Sequence, residues 1–140
     1  MLITSEFQGT VTVKNSLDVV KVMVDILQSM NQADRNKECV WTVLLDARNN
    51  IRAIDLVYMG SVCGMPVKAS EIYRVAVTSG AVSMILVHNH PAGSTEPSNE
   101  DIAMTRKIFR AGKLLGVRLI DSIIITESGG FYSIMDNLPK

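Results

Sequence analysis

The spacing of apolar and polar residues along the chain predicts strands that alternate with helices. Apolar residues recur at helical spacing over residues 16–30, and Ser16 is the expected N-cap of this helix. Residues 38–46 and 51–60 are rich in β-branched and aromatic side chains and are separated by a turn, so they predict a β-hairpin. Residues 7–13 alternate well enough to predict a short edge strand before the first helix.

The second half of the chain predicts two further helices that follow or precede buried strands. Ser70 is the expected cap of a helix that Gly80 ends in a left-handed conformation, and Ser98 opens a longer helix that ends before Gly116. The segments 31–37 and 61–67 are expected to be connections without regular structure. Three further segments predict strands, the first two apolar enough to be covered on both faces: 81–88, 117–126 and 131–135.

This order of elements, β-α-β-β-α-β-α-β-β, predicts an α/β fold in which helices pack on the faces of a mixed sheet. A chain of 140 residues has the size of one ordinary domain and can bury a hydrophobic core without disulfides or metal. The sequence contains no internal repeat and no linker-like segment. We therefore expect residues 1–140 to form a single domain.

Composition and charge narrow the classes of function. Hydrophobic residues make up 47% of the chain and charged residues 20%, which is typical of a globular protein. Fourteen basic residues balance fourteen acidic ones, so net charge gives no support for binding nucleic acid or an anionic membrane. Two cysteines, Cys39 and Cys63, are too few for a disulfide framework, and no signal peptide or membrane-length apolar run is present. These features predict a cytoplasmic protein with no membrane partner.

The stretch "LVHNHPAGSTEPSNED", residues 86–101, carries the candidate chemistry. It contains both histidines of the chain, His88 and His90, at alternate positions where a predicted strand ends. Alternate side chains of a strand project to the same face, so the two imidazoles can share a cation of the zinc type. Asp101, in the first turn of the following helix, could supply a third ligand. Three protein ligands leave one coordination position open, which is typical of catalytic zinc sites.

Helix capping offers a competing explanation for half of this pattern. "SNED" matches the sequence that opens a helix, so Ser98 and Asp101 taken alone are explained as a capping box. Two histidines at strand spacing, taken alone, are equally compatible with a metal site and with ordinary polar roles. All four residues together, in the order strand, loop and capped helix, favour a metal site.

At this point the sequence resembles a known family. His-x-His, seven residues, Ser, two residues and Asp is similar to the signature of the JAB/MPN (JAMM) metalloproteases. "HNHPAG" followed by "PSNEDIAMTRKIFRAGKLLGVRLIDSIII" resembles in particular the bacterial RadC-like branch, and the resemblance covers about residues 16–135. It implies a three-layer α/β/α sandwich of the cytidine-deaminase-like kind, a bound Zn²⁺ ion and hydrolysis of peptide or isopeptide bonds.

The resemblance also implies roles for individual residues. By position, Ser98 matches a serine that helps to stabilise the tetrahedral oxyanion, and Glu38 matches a glutamate that serves as general base. A carboxylate in that place can take a proton from the attacking water and deliver it to the leaving amine. Glu71 remains an alternative base, although stabilisation of its own helix dipole also explains it. Three residues match the zinc ligands: His88, His90 and Asp101.

The substrate and the alternatives to catalysis stay open. The family implies a protein or peptide substrate, whose identity the sequence does not give. A non-catalytic MPN-type scaffold is one alternative, and a DNA-repair-associated accessory protein is another, supported by family association and not by charge. Zinc deaminases require H-x-E and P-C-x-x-C, and neither is present. On the hairpin, Val57, Tyr58 and Met59 are expected to be exposed apolar positions that could support substrate strands or self-association as a homo-oligomer, and the flanking Glu96 and Glu100 are expected to be surface groups.

Overall fold

The computed structural model describes residues 4–6, 10–60 and 67–138, the first three by their backbone. Within these ranges the chain forms six strands and five helices. The strands are β1 Thr4–Glu6, β2 Glu38–Leu45, β3 Ile51–Gly60, β4 Ser83–Asn89, β5 Arg118–Ile125 and β6 Phe131–Ser133. The helices are α1 Ser16–Ser29, α2 Gln32–Arg35, α3 Ala69–Ser79, α4 Asn99–Leu115 and α5 Ile134–Asn137.

The strands form one mixed sheet in the order β1-β3-β2-β4-β5-β6. The central pair β4 and β5 is parallel, and the other neighbouring pairs are antiparallel. Helix α4 makes the crossover between the two parallel strands, as parallel pairing requires. The predicted hairpin is confirmed as β2 and β3, and the apolar run before the histidines is confirmed as the central strand β4.

Helices cover both faces of this sheet, which confirms the expected three-layer α/β/α sandwich. On one face α1 packs through Met23 and Leu27 against alternate residues of β2, such as Trp41. On the other face α3 and α4 contribute Ile72 and Ile108 to a second core, with the residues of β2 and β4 that point the opposite way. The two cores therefore share the central strands, and these strands are apolar at almost every position for that reason.

Two of the three predicted helix caps are wrong by one or two residues. Helix α1 is capped by Asn15, whose side chain accepts a hydrogen bond from the Asp18 N–H at 3.3 Å while the Asp18 carboxylate accepts from the Asn15 N–H. Ser16 lies inside the helix, and its hydroxyl donates instead to Asp121 at 3.2 Å. Helix α3 begins after Lys68, so Ser70 is also internal. The predicted cap Ser98 and the left-handed glycines that end α3 and α4 are confirmed.

The ends of the chain differ most from the predicted pattern. The first strand is Thr4–Glu6, and residues 10–13 contribute only an isolated bridge from Thr12 to Asn50, while residues 7–9 lie outside the described ranges. The last predicted strand stops at Ser133, because this residue caps α5 by accepting from the Asp136 N–H at 3.3 Å. The polar connection after α1 contains the short α2, and residues 61–66 of the second connection are also outside the described ranges.

The hairpin surface suggested for self-association is mostly covered. Strand β3 lies between β1 and β2, so it is an interior strand of the sheet. Val57 is 8% exposed and packs in the core beneath α3 and α4, and Tyr58 and Met59 are half-buried. The prediction that all three side chains are exposed is wrong. Among the described residues, no helix has both the length and the apolar composition needed to cross a bilayer.

Candidate metal centre

The His88 side chain lies on the face of the sheet that helix α4 covers. His88 follows Leu86 by two positions in β4, and Leu86 packs in the core beneath α3 and α4. Because alternate strand residues share a face, the His88 side chain enters the same layer, where it is fully buried. The N-terminal turn of α4 carries Asp101, and His88 Nε2 lies 3.2 Å from Asp101 Oδ1.

His90 approaches the same carboxylate from the loop that follows β4. Its backbone N–H donates to the Ile125 carbonyl at 3.0 Å, which extends the pairing with β5 by one residue beyond the strand. Its Nε2 lies 3.1 Å from Asp101 Oδ2, and the two imidazole centroids are 5.1 Å apart. His88, His90 and Asp101 thus each offer one ligand atom within 4.8 Å of the others, so together they could hold a metal ion.

The hydrogen bond made by His90 Nδ1 fixes the role of its other nitrogen. Nδ1 lies 2.8 Å from the Ser94 carbonyl oxygen, and a carbonyl only accepts, so Nδ1 carries a proton. In the neutral imidazole, Nε2 then has a lone pair directed at the site shared with Asp101. This arrangement, in which a backbone carbonyl orients the ring, is typical of metal-ligating histidines.

The surroundings of His88 provide a test of whether the residues fit a cation. Both ring nitrogens of His88 are buried and form no hydrogen bond of acceptable geometry among the described residues; Nε2 has the Asp101 carboxylate 3.2 Å away, and Nδ1 has no polar partner. A buried unsatisfied polar atom costs about 1–3 kcal/mol, so native proteins rarely retain one without a reason. A divalent cation on Nε2 would remove that cost at Nε2. Two imidazole nitrogens and one carboxylate oxygen are a donor set that suits zinc.

The charge of Asp101 is stabilised by its two histidine contacts. Burial raises the pKa of the Asp101 carboxyl, but the contacts with His88 and His90 lower it more, and the pKa lies well below its usual range. The backbone N–H of Ser98 also donates to Asp101 Oδ2 at 2.9 Å. The contact with Asp101 in turn raises the pKa of His90. Asp101 is therefore an anion at neutral pH, as a metal ligand must be.

Glu38 lies at the edge of this cluster. In the antiparallel pairing of β2 with β4, Val40 is opposite His88, so the strand direction carries Glu38 towards His90 on the same face. Burial raises the pKa of the Glu38 carboxyl, and the charges of His88, Asp101 and His90 act on it as well. A carboxylate with a raised pKa is a better proton acceptor near neutral pH than an exposed one.

Ser98 has two hydrogen-bonding functions at the start of α4. Its hydroxyl oxygen accepts from the Asp101 N–H at 3.0 Å, and its own N–H donates to the Asp101 carboxylate, so the predicted capping box is present. The hydroxyl proton has no acceptor among the described residues. The capping role is compatible with a metal-site role for Asp101, because Oδ1 meets His88 and takes no part in the cap, while Oδ2 meets both His90 and the Ser98 N–H.

The other acidic candidates lie in different environments. Glu71 belongs to the first turn of α3, where its carboxylate accepts from the Lys68 N–H at 3.4 Å, and it is not among the described residues that line the cleft beside the metal cluster. Glu96 is exposed and also lies off this lining. Glu100, expected to be an outward surface group, is exposed but contributes to the cleft wall.

The sequence patterns missed Asn89, the residue between the two histidines. Asn89 is 1% exposed, and its Oδ1 accepts a hydrogen bond from the Cys39 N–H at 2.7 Å. Its Nδ2 donates to the Lys37 carbonyl at 3.0 Å. Strand alternation places this side chain on the opposite face from His88, but it gives no sign that the amide reaches the backbone of another strand.

A cleft of about 710 Å³ opens beside the cluster. This volume is within the range of about 300–1,000 Å³ that is typical of ligand sites. Its wall includes four of the residues singled out by the sequence, namely Glu38, His90, Ser98 and Asp101. The rest of the lining is mostly small or apolar with one cation: Val67, Pro91, Ala92, Ser94, Glu100, Ala103, Met104 and Lys107.

Comparison with known proteins agrees with this arrangement. A family model described as the RadC-like JAB domain matches residues 13–138. The chain belongs to this family. The RadC-like JAB domain therefore accounts for the mixed sheet, for the two helical layers and for the place of the His-His-Asp cluster at the end of the central strand.

Relatives of this RadC-like JAB domain occur in bacteria and archaea. A UPF0758 protein of Chloroflexus aurantiacus is 33% identical over 124 residues, which cover 89% of this chain and 52% of the relative. A UPF0758 protein of Geotalea uraniireducens is 43% identical over 103 residues, 74% of this chain and 45% of the relative. A UPF0758 protein of Methanosarcina barkeri is 39% identical over 103 residues, which cover 74% of this chain and 44% of the relative. The chain spans about half the length of the curated relatives it matches.

Proposed function

We propose that this RadC-like JAB domain is a zinc-dependent hydrolase that cleaves an amide bond in a protein or peptide. One observation carries the proposal: the ligand atoms of a buried histidine, a second oriented histidine and an aspartate of lowered pKa converge within 4.8 Å of one another, beside a carboxylate of raised pKa. His88, His90 and Asp101 would hold the ion. When bound, zinc lowers the pKa of a coordinated water and polarises a carbonyl group.

The residues of the chain supply the remaining steps. Glu38 would accept a proton from the water that attacks the carbonyl carbon and then donate it to the departing amine nitrogen. Ser98 has a hydroxyl proton without an acceptor among the described residues, and this proton is available to the oxyanion that develops on the attacked carbonyl. Pro91 and Met104, on the apolar cleft wall, would exclude water from the rest of the bound peptide.

The cleft favours a peptide over a nucleic acid as the substrate. Among its lining residues the charged groups outside the His-His-Asp cluster are Glu38, Glu100 and Lys107, so the lining has no excess of basic residues, and most of the others are small or apolar. A nucleic-acid site requires an excess of basic residues, because phosphate contacts supply most of the affinity. The chain as a whole is also neutral, with 14 basic and 14 acidic residues.

Hydrolysis of a fluorogenic peptide library by the zinc-loaded chain tests the proposal. Chelation is expected to abolish cleavage and added Zn²⁺ to restore it. Glu38→Gln should bind zinc and fail to cleave, whereas Glu71→Gln should do both, because Glu71 only stabilises its own helix. Zinc-loaded protein that cleaves no peptide would contradict the proposal and favour a non-catalytic scaffold. Cleavage that survives in Glu38→Gln would show that the base is another group.

A further inference from the structure

The carboxamide of Asn89 replaces backbone pairing where strands β2 and β4 part. The two strands pair from Leu45 opposite Ser83 to Val40 opposite His88. Beyond this point β4 stays with β5 and places Asn89 opposite Ile125. The backbone of β2 continues past the end of the ladder, and buried backbone groups rarely lack partners. The Asn89 side chain supplies them: Oδ1 accepts from the Cys39 N–H at 2.7 Å, and Nδ2 donates to the Lys37 carbonyl at 3.0 Å.

These two hydrogen bonds bracket Glu38. In an extended strand the carbonyl of one residue and the N–H two positions later point to the same edge, so one carboxamide can engage both. On the opposite edge, Glu38 is paired with Gly60 of β3. The backbone of residue 38 is therefore held from both edges, although β4 no longer runs beside it. A backbone held in this way fixes the direction in which the Glu38 side chain leaves the strand.

Asn89 also joins the base to the ligands through one short segment. It is flanked by His88 and His90, so its amide ties the segment that carries both histidines to the backbone on either side of Glu38. A side chain that only closed the end of the sheet would need no connection with residue 38. The bracket around that residue indicates a more specific role than filling space.

We propose that Asn89 is a positioning residue, whose carboxamide holds the backbone on both sides of Glu38 and thereby directs that carboxylate at the His88–His90–Asp101 site. The inference rests on the proposed function, because it assigns to Asn89 the placement of the general base. Asn89 itself contacts no reacting atom. Its part is geometric, so removing the amide should affect catalysis through Glu38 and leave the metal ligands in place.

Asn89→Leu tests this inference without reference to activity. The substitution nearly conserves volume and removes both hydrogen bonds. In the full zinc-loaded chain, amide hydrogen exchange of Cys39 should become at least about tenfold faster than in wild type, because its acceptor is lost. Zinc content per chain should be unchanged. Tyr73→Phe is the matched control: it removes another buried side-chain bond to backbone, 2.7 Å to the Ile108 carbonyl, and should leave Cys39 exchange as it is.

Kinetics of a cleaved peptide then separate positioning from general support. In Asn89→Leu, kcat should fall about 10- to 100-fold with KM unchanged, the size of effect expected when a supporting partner is lost. In a Glu38→Gln background the same substitution should have no further effect on kcat, because the group that it positions is already absent. A loss that adds fully to that of Glu38→Gln would overturn the inference. Tyr73→Phe should keep the wild-type kcat.

The remaining outcomes are also decisive. Loss of zinc from Asn89→Leu would overturn the inference, since Asn89 would then support the ligands. Unchanged Cys39 exchange would overturn it even if wild type cleaves no peptide, so its failure is distinguishable from failure of the proposed hydrolase. If Asn89→Leu does not fold, Asn89→Ser, which keeps one hydrogen-bonding group, should show the same changes at smaller size. Failure of both variants to fold would overturn the inference in favour of general support.

Discussion

Two buried aspartates of this domain have opposite surroundings. Asp121, 6% exposed, accepts hydrogen bonds from the hydroxyls of Ser133 at 2.8 Å and Ser16 at 3.2 Å, and from the Ser122 N–H at 2.7 Å. Asp101, 3% exposed, meets two imidazoles, and that of His88 has no polar contact with any other group among the described residues. Asp121 joins α1, β5 and β6, and its neighbours satisfy it completely.

The pKa values of the two carboxyls move in opposite directions for this reason. Burial raises the pKa of Asp121, and its neutral donors only partly offset that effect. Burial acts in the same direction on Asp101, but the histidine contacts reverse it. Burial of an acidic residue therefore does not by itself identify a functional site. What distinguishes Asp101 is that its two partners are imidazoles, which together with its carboxylate could hold a metal ion.

The largest expected effect is on metal binding. Asp101→Asn removes the anionic ligand itself. Loss of a residue that only hydrogen-bonds to a metal ligand lowers affinity about 10- to 100-fold, so the fall in zinc affinity of Asp101→Asn should be larger. Asp121→Asn, an equally buried exchange, should leave zinc affinity unchanged. Competition titration with a chromophoric chelator measures both. Equal losses in the two variants would remove the distinction between the two aspartates.

The next largest effect is on turnover. Glu38→Gln should lower kcat by about 10²- to 10⁴-fold, the usual contribution of a general base, while zinc binding is retained. Asp121→Asn should retain turnover when zinc is saturating, because Asp121 lies outside the cleft lining. Steady-state kinetics at saturating zinc provide the comparison. A wild-type kcat in Glu38→Gln would contradict the assignment of Glu38 as the general base.

Two serines that cap helices, one beside each aspartate, allow the two regions to be compared by their effect on stability. Ser98→Ala and Ser133→Ala each remove an N-cap, which costs about 0.5–2 kcal/mol of unfolding free energy. Ser133→Ala also removes the hydroxyl that donates to Asp121, 2.8 Å from both carboxylate oxygens. Only Ser98→Ala should lower kcat in addition, because Ser98 lines the cleft and Ser133 does not. Urea unfolding and kinetics of both variants test this, and a kcat loss in Ser133→Ala would contradict it.

The smallest expected effect is on the pH dependence of stability in metal-free protein. The folded pKa of Asp121 is raised, so its contribution is fully present below the unfolded-state pKa and is lost as pH rises through the raised value. The folded pKa of Asp101 is lowered, so its contribution is present above the unfolded-state pKa and is lost as pH falls through the lowered value. Asp121→Asn should thus remove a decrease of the unfolding free energy with rising pH. Asp101→Asn should remove an increase of the unfolding free energy with rising pH. Urea titrations at successive pH values would refute this if both slopes had the same sign.

The convergence of His88, His90 and Asp101 follows from local rules that a sequence displays. Two-residue alternation puts the histidines on one face, the apolar run identifies a central strand, and "SNED" fixes the start of α4. The two faces of the sheet were also predictable, because β-α-β connectivity requires helices to cover it. The alternation could not predict which group each ring nitrogen of His88 and His90 contacts.

The features that escaped prediction depend on long-range contacts or on competition between neighbouring caps. Asn89 bonds to residues 50 and 52 positions away, a relation with no local signal. Asn15 displaced Ser16 as the cap of α1 because its capping box with Asp18 forms one residue earlier, which frees Ser16 to reach Asp121. Val57 looked exposed because the core beneath α3 and α4 that covers it is formed by long-range packing.

Anomalous diffraction at the zinc absorption edge, from crystals grown with stoichiometric Zn²⁺, would show whether His88, His90 and Asp101 hold a zinc ion. We expect a single peak about 2.0–2.1 Å from Nε2 of both His88 and His90 and bonded to the Asp101 carboxylate. No peak is expected beside Asp121. An absent peak at the His-His-Asp cluster, or a peak that does not involve Asp101, would contradict the proposed zinc site.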